Sequence, residues 1–238
     1  QERKESIVSE GENTTITFSV EEGEYMIILF ADYIPNNSTP DEHNCYPDYY
    51  YNTNYTDKPF IIDIKSFELN NDNMDCFGNV IKVKKGPEQV TKEVSLKRLV
   101  SKIRLISTTG LDANKEIDNI SYSKIPYYPD FNLEEGGGFV ISSKPISYSS
   151  ANSNNFIHID ENDKEEYELF YFYSLADKNG NLLSEFDFTF NFKDNTSLPG
   201  HIDSSIITSK RNTITTIKGD FLSKEEPKKG DIILNLST

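Results

Sequence analysis

The side chains that could carry chemistry are few, and their spacing matches no catalytic or metal-binding template. Three histidines, His43, His158 and His201, lie far apart in the chain, which argues against a zinc site. No Gly-x-Ser-x-Gly, His-Glu-x-x-His, phosphate-loop or dinucleotide signature occurs. The triplet Gly136-Gly137-Gly138 follows two glutamates, whose charge opposes phosphate binding, and it reads as a turn. The densest acidic run, Asp160 to Glu166 (DENDKEE), offers several oxygens to a hard cation. Lys164 nevertheless stands where a calcium loop needs an oxygen ligand, and no glycine follows it, so the run reads as a solvated acidic turn. Carboxylates abound, but a glycosidase pair must face across a cleft, and spacing alone cannot establish that. The expectation is a protein with no catalytic residues, no metal and no cofactor.

Two groups of side chains remain as candidates for contact rather than catalysis. Tyr46, Tyr49, Tyr50, Tyr51 and Tyr55 cluster in a long polar stretch, residues 34–58. Planar rings on a loop can stack on sugars or fill a partner's pocket, which makes Tyr49, Tyr50, Tyr51 and Tyr55 candidate ligand or partner contacts. The plainer reading is that they cover the end of a sheet, a common use of an amphipathic ring. The second group is basic: Lys97, Arg98, Lys102 and Arg104 fall within one apolar stretch. In a chain of net charge −15, with 24 Lys and Arg against 39 Asp and Glu, they are expected to pair with acids at a domain junction.

That acidic balance repels phosphate backbones and anionic membrane surfaces, so nucleic acid is not an expected partner. No apolar run approaches the ~20 residues of a membrane helix. The absence of Trp beside 14 Tyr and 15 Phe, with abundant Asn, Ser and Thr, resembles secreted β-proteins. Cys45 and Cys76 could be bridged in such a protein or stand as two free thiols; their spacing leaves both open. Gln1 is not an initiator Met, and the expectation is a trimmed start with any export signal or lipid anchor upstream.

The elements that must position these groups are strands. Val94 to Thr108 runs without Gly, Pro, Asn or Asp, but its parity changes: Val94 and Leu96 point one way, while Leu99, Ile103 and Leu105 fall on the other. A strand keeps one buried face only while the period of two holds, so a bulge, crossing or handover is expected at Lys97-Arg98. Thr15 to Val20, Tyr25 to Tyr33, Phe60 to Leu69 and Val80 to Lys84 read as strands before it. Ile117 to Ile125, Phe139 to Ser142 and Pro145 to Ser149 follow it, with Arg211 to Phe221 and Asp231 to Leu236 near the end. Glu166 to Lys193 reads as a hairpin turning at Asn179-Gly180, with an outgoing strand apolar on nearly both faces. Its return, Phe186, Phe188, Phe190 and Phe192, carries one aromatic and one polar face. No segment of a dozen residues keeps a 3.6 period. The fold expected is all-β with little helix, as two β-sandwich domains in tandem, residues 1–96 and 97–238.

Four stretches carry a family resemblance. They are Tyr25 to Tyr33 (YMIILFADY) with Tyr50-Tyr51-Asn52-Thr53, Asp72 to Gly78 (DNMDCFG), Val94 to Leu105 (VSLKRLVSKIRL) and Lys210 to Gly219 (KRNTITTIKG). In these, and in their order, the chain resembles the fimbrillin-like surface proteins of the Bacteroides group, fimbrial subunits and related outer-membrane lipoprotein anchors. Cys76 stands where that family more often has a small residue such as alanine, and residues 34–58 with Cys45 have no counterpart in its pattern. The resemblance implies transthyretin-like (immunoglobulin-like, Greek-key) sandwiches and export to the outer membrane through a lipidated cysteine upstream. It also implies a structural or adhesive role at the cell surface in a fimbria-like assembly. Neighbouring subunits, or copies of the chain itself, would then join by strand addition, with a host or glycan surface as a further partner. Ile232, Leu234 and Leu236 form the candidate donor pattern; the plainer reading is the last strand of its own domain. The rival classes are a carbohydrate-binding surface lipoprotein using the tyrosines of 46–55, and a β-sandwich glycan hydrolase.

Overall fold

A computed structural model describes residues 12–42, 45–53, 61–109, 116–134, 138–141, 146–150, 157–161, 164–222 and 236–237. Every described regular element is a strand apart from two three-residue 3₁₀ turns, Asp72–Met74 and Ser204–Ile206, and the protein is all-β. The first strands are β1 (Gly23–Ala31), β2 (Tyr51–Asn52), β3 (Ile61–Ile64), β4 (Phe77–Lys85), β5 (Lys97–Arg98) and β6 (Val100–Ser107). Next come β7 (Ile117–Tyr127), β8 (Asp130–Glu134), β9 (Gly138–Ile141), β10 (Ile146–Ser150), β11 (Ile157–Glu161) and β12 (Lys164–Leu175). The last are β13 (Asn181–Leu182), β14 (Phe186–Phe192), β15 (Ser197–Ile202), β16 (Thr208–Ser209), β17 (Ile214–Gly219) and β18 (Leu236–Ser237).

Two of the sheets form a sandwich. One has the order β11-β12-β6-β17-β18, with β6 and β17 parallel and its other pairs antiparallel; the other has the order β10-β7-β14-β15. Their inner faces meet through rings. Phe170 lies 6.0 Å from both Phe186 and Phe188 and 4.7 Å from Tyr122, while Phe172 lies 6.3 Å from Phe186. The alternation of β14 is realised as read, with Phe186, Phe188, Phe190 and Phe192 buried and Asp187 exposed. Strand β12 is central, between β11 and β6, as its two apolar faces required.

The hairpin expected over 166–193 is not formed. β12 and β14 belong to different sheets and oppose each other across the core. Two aromatic faces bury more surface stacked as layers than side by side in one sheet, so the chain crosses the sandwich between them. The Asn-Gly turn is present, with Gly180 at φ 84°, but it leads into β13, which pairs with β16. The strand expected at Thr15 to Val20 is also absent: residues 12–22 are irregular. Alternation states which face a strand would bury, not whether a ladder holds it.

The parity change near residue 97 has a physical cause. β5 pairs with β4, Phe77 opposite Arg98, and β6 pairs with β12 and β17. Between them the fully buried Leu99 donates its N–H to Cys76 O at 2.9 Å and accepts Ala176 N–H at 3.1 Å. The handover is therefore one residue wide, and both polar backbone groups at the break are satisfied. The stretch Val94 to Leu96 is not strand, and Leu96 is exposed.

The remaining sheets are β1-β4-β5 and β2-β3-β8-β9, beside the small β13-β16 ladder. The β3–β8 and β4–β5 pairings both cross the division expected at 96 and 97. Buried residues from Tyr50 to Leu222 form one contiguous cluster. Within it, Gly200 faces Phe188 across the β14–β15 ladder, and a methyl group at Gly200 would overlap the Phe188 ring. That ring is already fixed by Phe170, Phe186, Phe190 and Phe221. Gly200→Ala is expected to destabilise the fold by about 1–3 kcal/mol. Gly86→Ala, where nothing lies within 4 Å, should stay within about 0.5 kcal/mol. Urea unfolding of the two variants checks both.

Candidate interaction surfaces

The outward-facing positions of β6 carry charge into a half-buried environment, and each charge finds an opposite one. Arg104 Nε donates to Glu168 Oε2 of β12 at 2.6 Å, and Lys218 Nζ of β17 donates to Glu166 Oε2 at 2.8 Å. The Glu168 side chain is only 7% exposed, so it depends on that guanidinium for its charge to be tolerated. Lys102 Nζ lies 3.7 Å from the Tyr171 ring centroid and 5.5 Å from that of Tyr173, and donates to Asp72 Oδ1 at 2.7 Å. The rings stabilise the ammonium through their negative faces while the carboxylate neutralises it. Tyr173 Oη donates to the same Asp72 oxygen at 2.8 Å.

These contacts set the titration of the cluster. Burial alone would raise the Asp72 carboxyl, but hydrogen bonds from Lys102 and Tyr173 outweigh it, and its pKa lies below the ordinary value. Burial, reinforced by the Asp72 charge, pushes Tyr171 up to about 12, and burial with the Asp72 hydrogen bond raises Tyr173 further. One residue pair earlier, Arg98 Nε donates to both Asp75 oxygens, at 2.9 and 2.8 Å, with its guanidinium 5.3 Å from the Phe77 centroid. Burial raises the Asp75 carboxyl against the opposing pull of Arg98. Lys97, the fourth basic residue singled out by the sequence, is exposed and forms no ion pair with a described residue.

Two rings of the tyrosine stretch, Tyr50 and Tyr51, are used for structure. Tyr50 and Tyr51 are buried, and their hydroxyls tie down the turn before β4. Tyr51 Oη donates to Met74 O at 2.5 Å, and Asn71 Nδ2 donates to Tyr50 Oη and to Glu68 Oε2, both at 2.6 Å. Burial raises the Tyr51 hydroxyl and the neighbouring Cys76 thiol far above their usual ranges. Tyr49 is 47% exposed but meets Tyr50 edge-on, 4.7 Å between centroids at 82°. Stacking on a sugar needs open, coplanar faces; Tyr50 and Tyr51 present none, and Tyr55 lies outside the described residues. The signal that could have separated these rings was long-range: their acceptors and donors stand some twenty residues away. Cys45 and Cys76 are not bridged.

The acidic run contributes the end of a hairpin, with Asp160 opposite Glu165 and Glu161 opposite Lys164. Among the described residues no three potential ligands converge on a metal position. At the C-terminus, Leu236 and Ser237 pair with Thr215 and Ile214 of β17, whereas Ile232 and Leu234 lie outside the described residues. One surface the sequence did not single out is a sheet edge left open by the described residues. Among the described residues β1 is the outer strand of its sheet, paired over nine residues with β4 on one side only. It carries Tyr25, Met26, Ile27, Ile28, Leu29 and Phe30 with no Pro, Lys or bulge, and Met26 is 36% exposed.

Layered strands, a ring-packed core and paired charges on the central strand define an all-β sandwich protein. The chain belongs to the family of unknown function DUF6562, whose model matches residues 1–235. No curated protein matches it significantly. Two crystal structures described as candidate adhesins from Bacteroides ovatus are similar to it at 12% and 11% identity, with TM-scores of 0.39 and 0.38. The first likeness covers 79% of this chain and 67% of the other, the second 92% and 74%.

Arg104→Ala should destabilise the protein by about 3–5 kcal/mol, because it strands the buried Glu168 charge; denaturant titration against Arg104→Lys checks it. Asp72→Asn should cost about 1 kcal/mol at neutral pH. Since the folded pKa of Asp72 is lowered, its contribution is full above the ordinary value of 3.8 and disappears as pH falls through the lowered one. Melting curves of wild type and variant should therefore converge only at strongly acidic pH.

Proposed function

We propose that this protein is a non-enzymatic cell-surface component, structural or adhesive, that joins its neighbours by β-strand addition. The observation that carries the reading is the edge of β1. A long, apolar edge without proline, lysine or bulge offers a ready row of backbone donors and acceptors, and proteins ordinarily blunt or cover such edges. Its use as an acceptor explains why this one is left unblunted. By contrast, the outer strand β15 carries Pro199 beside Gly200, which disfavours added pairing.

In this reading the segment ending at Leu236 is the donor, released from its short pairing with β17 to lie along β1 of the next copy. Backbone hydrogen bonds supply affinity, and the alternation Ile232, Leu234, Leu236 supplies register. The four-stretch resemblance to fimbrillin-like proteins supports a fimbria-like setting at the outer membrane, with a lipidated cysteine preceding the sequence and other subunits as partners.

Sedimentation of the full chain over a wide concentration range tests this. Met26→Lys places a charge on the β1 face and should weaken association about tenfold or more while leaving the melting temperature unchanged. Deleting 230–238 should abolish association, with the β-sheet signal retained. A chain that stays monomeric at every concentration, or a truncated chain that still polymerises, would contradict the reading.

A further inference from the structure

In a protein of net charge −15, basic side chains are expected to be consumed by acids. One open cavity of about 460 Å³ departs from that rule. It lies where β5 leaves β4, and its charged lining is Lys97, Arg98, Lys178 and Arg211. Lys97, Lys178 and Arg211 form no ion pair with a described residue. Arg98 shares its charge with Asp75 through Nε. Among the described residues no acid lines the cavity.

The backbone holds this arrangement in place. Arg211 N–H donates to Asp177 O at 3.0 Å, and Asn212 N–H donates to Val100 O at 3.0 Å, which fixes the 177–180 turn and the 210–212 segment beside the end of β5. Asn212 sits at φ 58°, a left-handed position that an asparagine tolerates. Burial draws Arg211 below the usual arginine range, partly offset by the Asp177 charge, so an added anion would relieve a cost already present. With Arg98 already engaged by Asp75, the exposed Lys97 and Lys178 and the half-buried Arg211 share one concavity in which an added anion would lower their mutual repulsion.

The rest of the lining narrows the anion. Phe77 and Leu96 supply an apolar wall, and the Asn212 amide can both donate to and accept from hydroxyls. A volume of this order falls within the ~300–1,000 Å³ typical of small-ligand sites. An extended peptide that bound by strand addition would need an edge to pair with, and β5 offers two residues only. A bare oxyanion would engage the cations and leave the apolar wall unused. We propose that this cavity binds an acidic saccharide unit, its carboxylate or sulfate held by Lys97, Lys178 and Arg211 and its ring against Phe77 and Leu96. The site stands on the cavity alone and holds whether or not β1 accepts a strand.

The test is calorimetric titration of the full chain with a sulfated or uronic-acid disaccharide, with lactose, inorganic phosphate and a glutamate-rich peptide in parallel. The expected result is saccharide binding that weakens with added salt and falls about tenfold or more in Lys97→Glu/Lys178→Glu, whose two positions are exposed and whose folding circular dichroism confirms. Amide shifts at Asn212 and Leu96 should move on titration. Lactose binding as tightly as the acidic disaccharide, or binding unchanged in the double variant, overturns the proposal. Phosphate or the peptide binding as tightly as the disaccharide overturns the saccharide assignment.

Discussion

The structure depends on burying β6 on both faces at once, and its two faces meet that demand with different chemistry. Ile103 and Leu105 enter the ring-packed interior, whereas Lys102 and Arg104 point the other way into a half-buried region. Removing solvent from an unpaired cation would cost more than the strand's burial returns, so acids and aromatic faces have to be brought to it. Glu168 comes from the adjacent strand, and Asp72 comes from a 3₁₀ turn in the earlier part of the chain. The turn at 70–74 is in turn anchored by a reciprocal pair of bonds between Asn70 and Tyr171 and by the hydroxyls of Tyr50 and Tyr51. The turn that carries Asp72 thereby ties the first sheets to the outward face of β6.

Much of this was legible in the sequence wherever a rule is local. The four alternate phenylalanines of β14 announced a sheet with one buried face, and the two apolar faces of 167–174 announced a central strand. The broken parity around Lys97-Arg98 announced a handover, because a period of two cannot survive a change of sheet. What alternation could not state is which sheet a strand joins. β12 and β14 look like hairpin partners in sequence and are opposing layers in space, because ring-on-ring burial between sheets is invisible to a pattern read along one strand. Thr15 to Val20 shows the same limit from the other side.

The interaction surfaces were less legible, for a related reason. Tyr50 and Tyr51 carry the composition of a binding loop, but a tyrosine is outside or inside according to where its hydroxyl finds a partner. Here the partners are Asn71 and Met74 O, well beyond any motif window. Lys178 and Arg211 flank ordinary turn and strand sequences and gain meaning only when the backbone bonds at Asp177 and Val100 bring them beside Lys97. Chemistry assembled from separated segments leaves no spacing to read.

The one-residue handover at Leu99 also has a mechanical meaning. The chain passes from the β1-β4-β5 sheet into the middle of the sandwich through the single residue Leu99, and β6 is held on both sides by ladders. Tension arriving at β1 would cross nine residue pairs into β4, pass through the two β4–β5 pairs, and continue through Leu99 into β6. A pull along that strand loads its lateral hydrogen bonds together in shear rather than opening them one at a time. Force applied at β1 is thus delivered, through two residue pairs and one buried leucine, to a strand held from both sides.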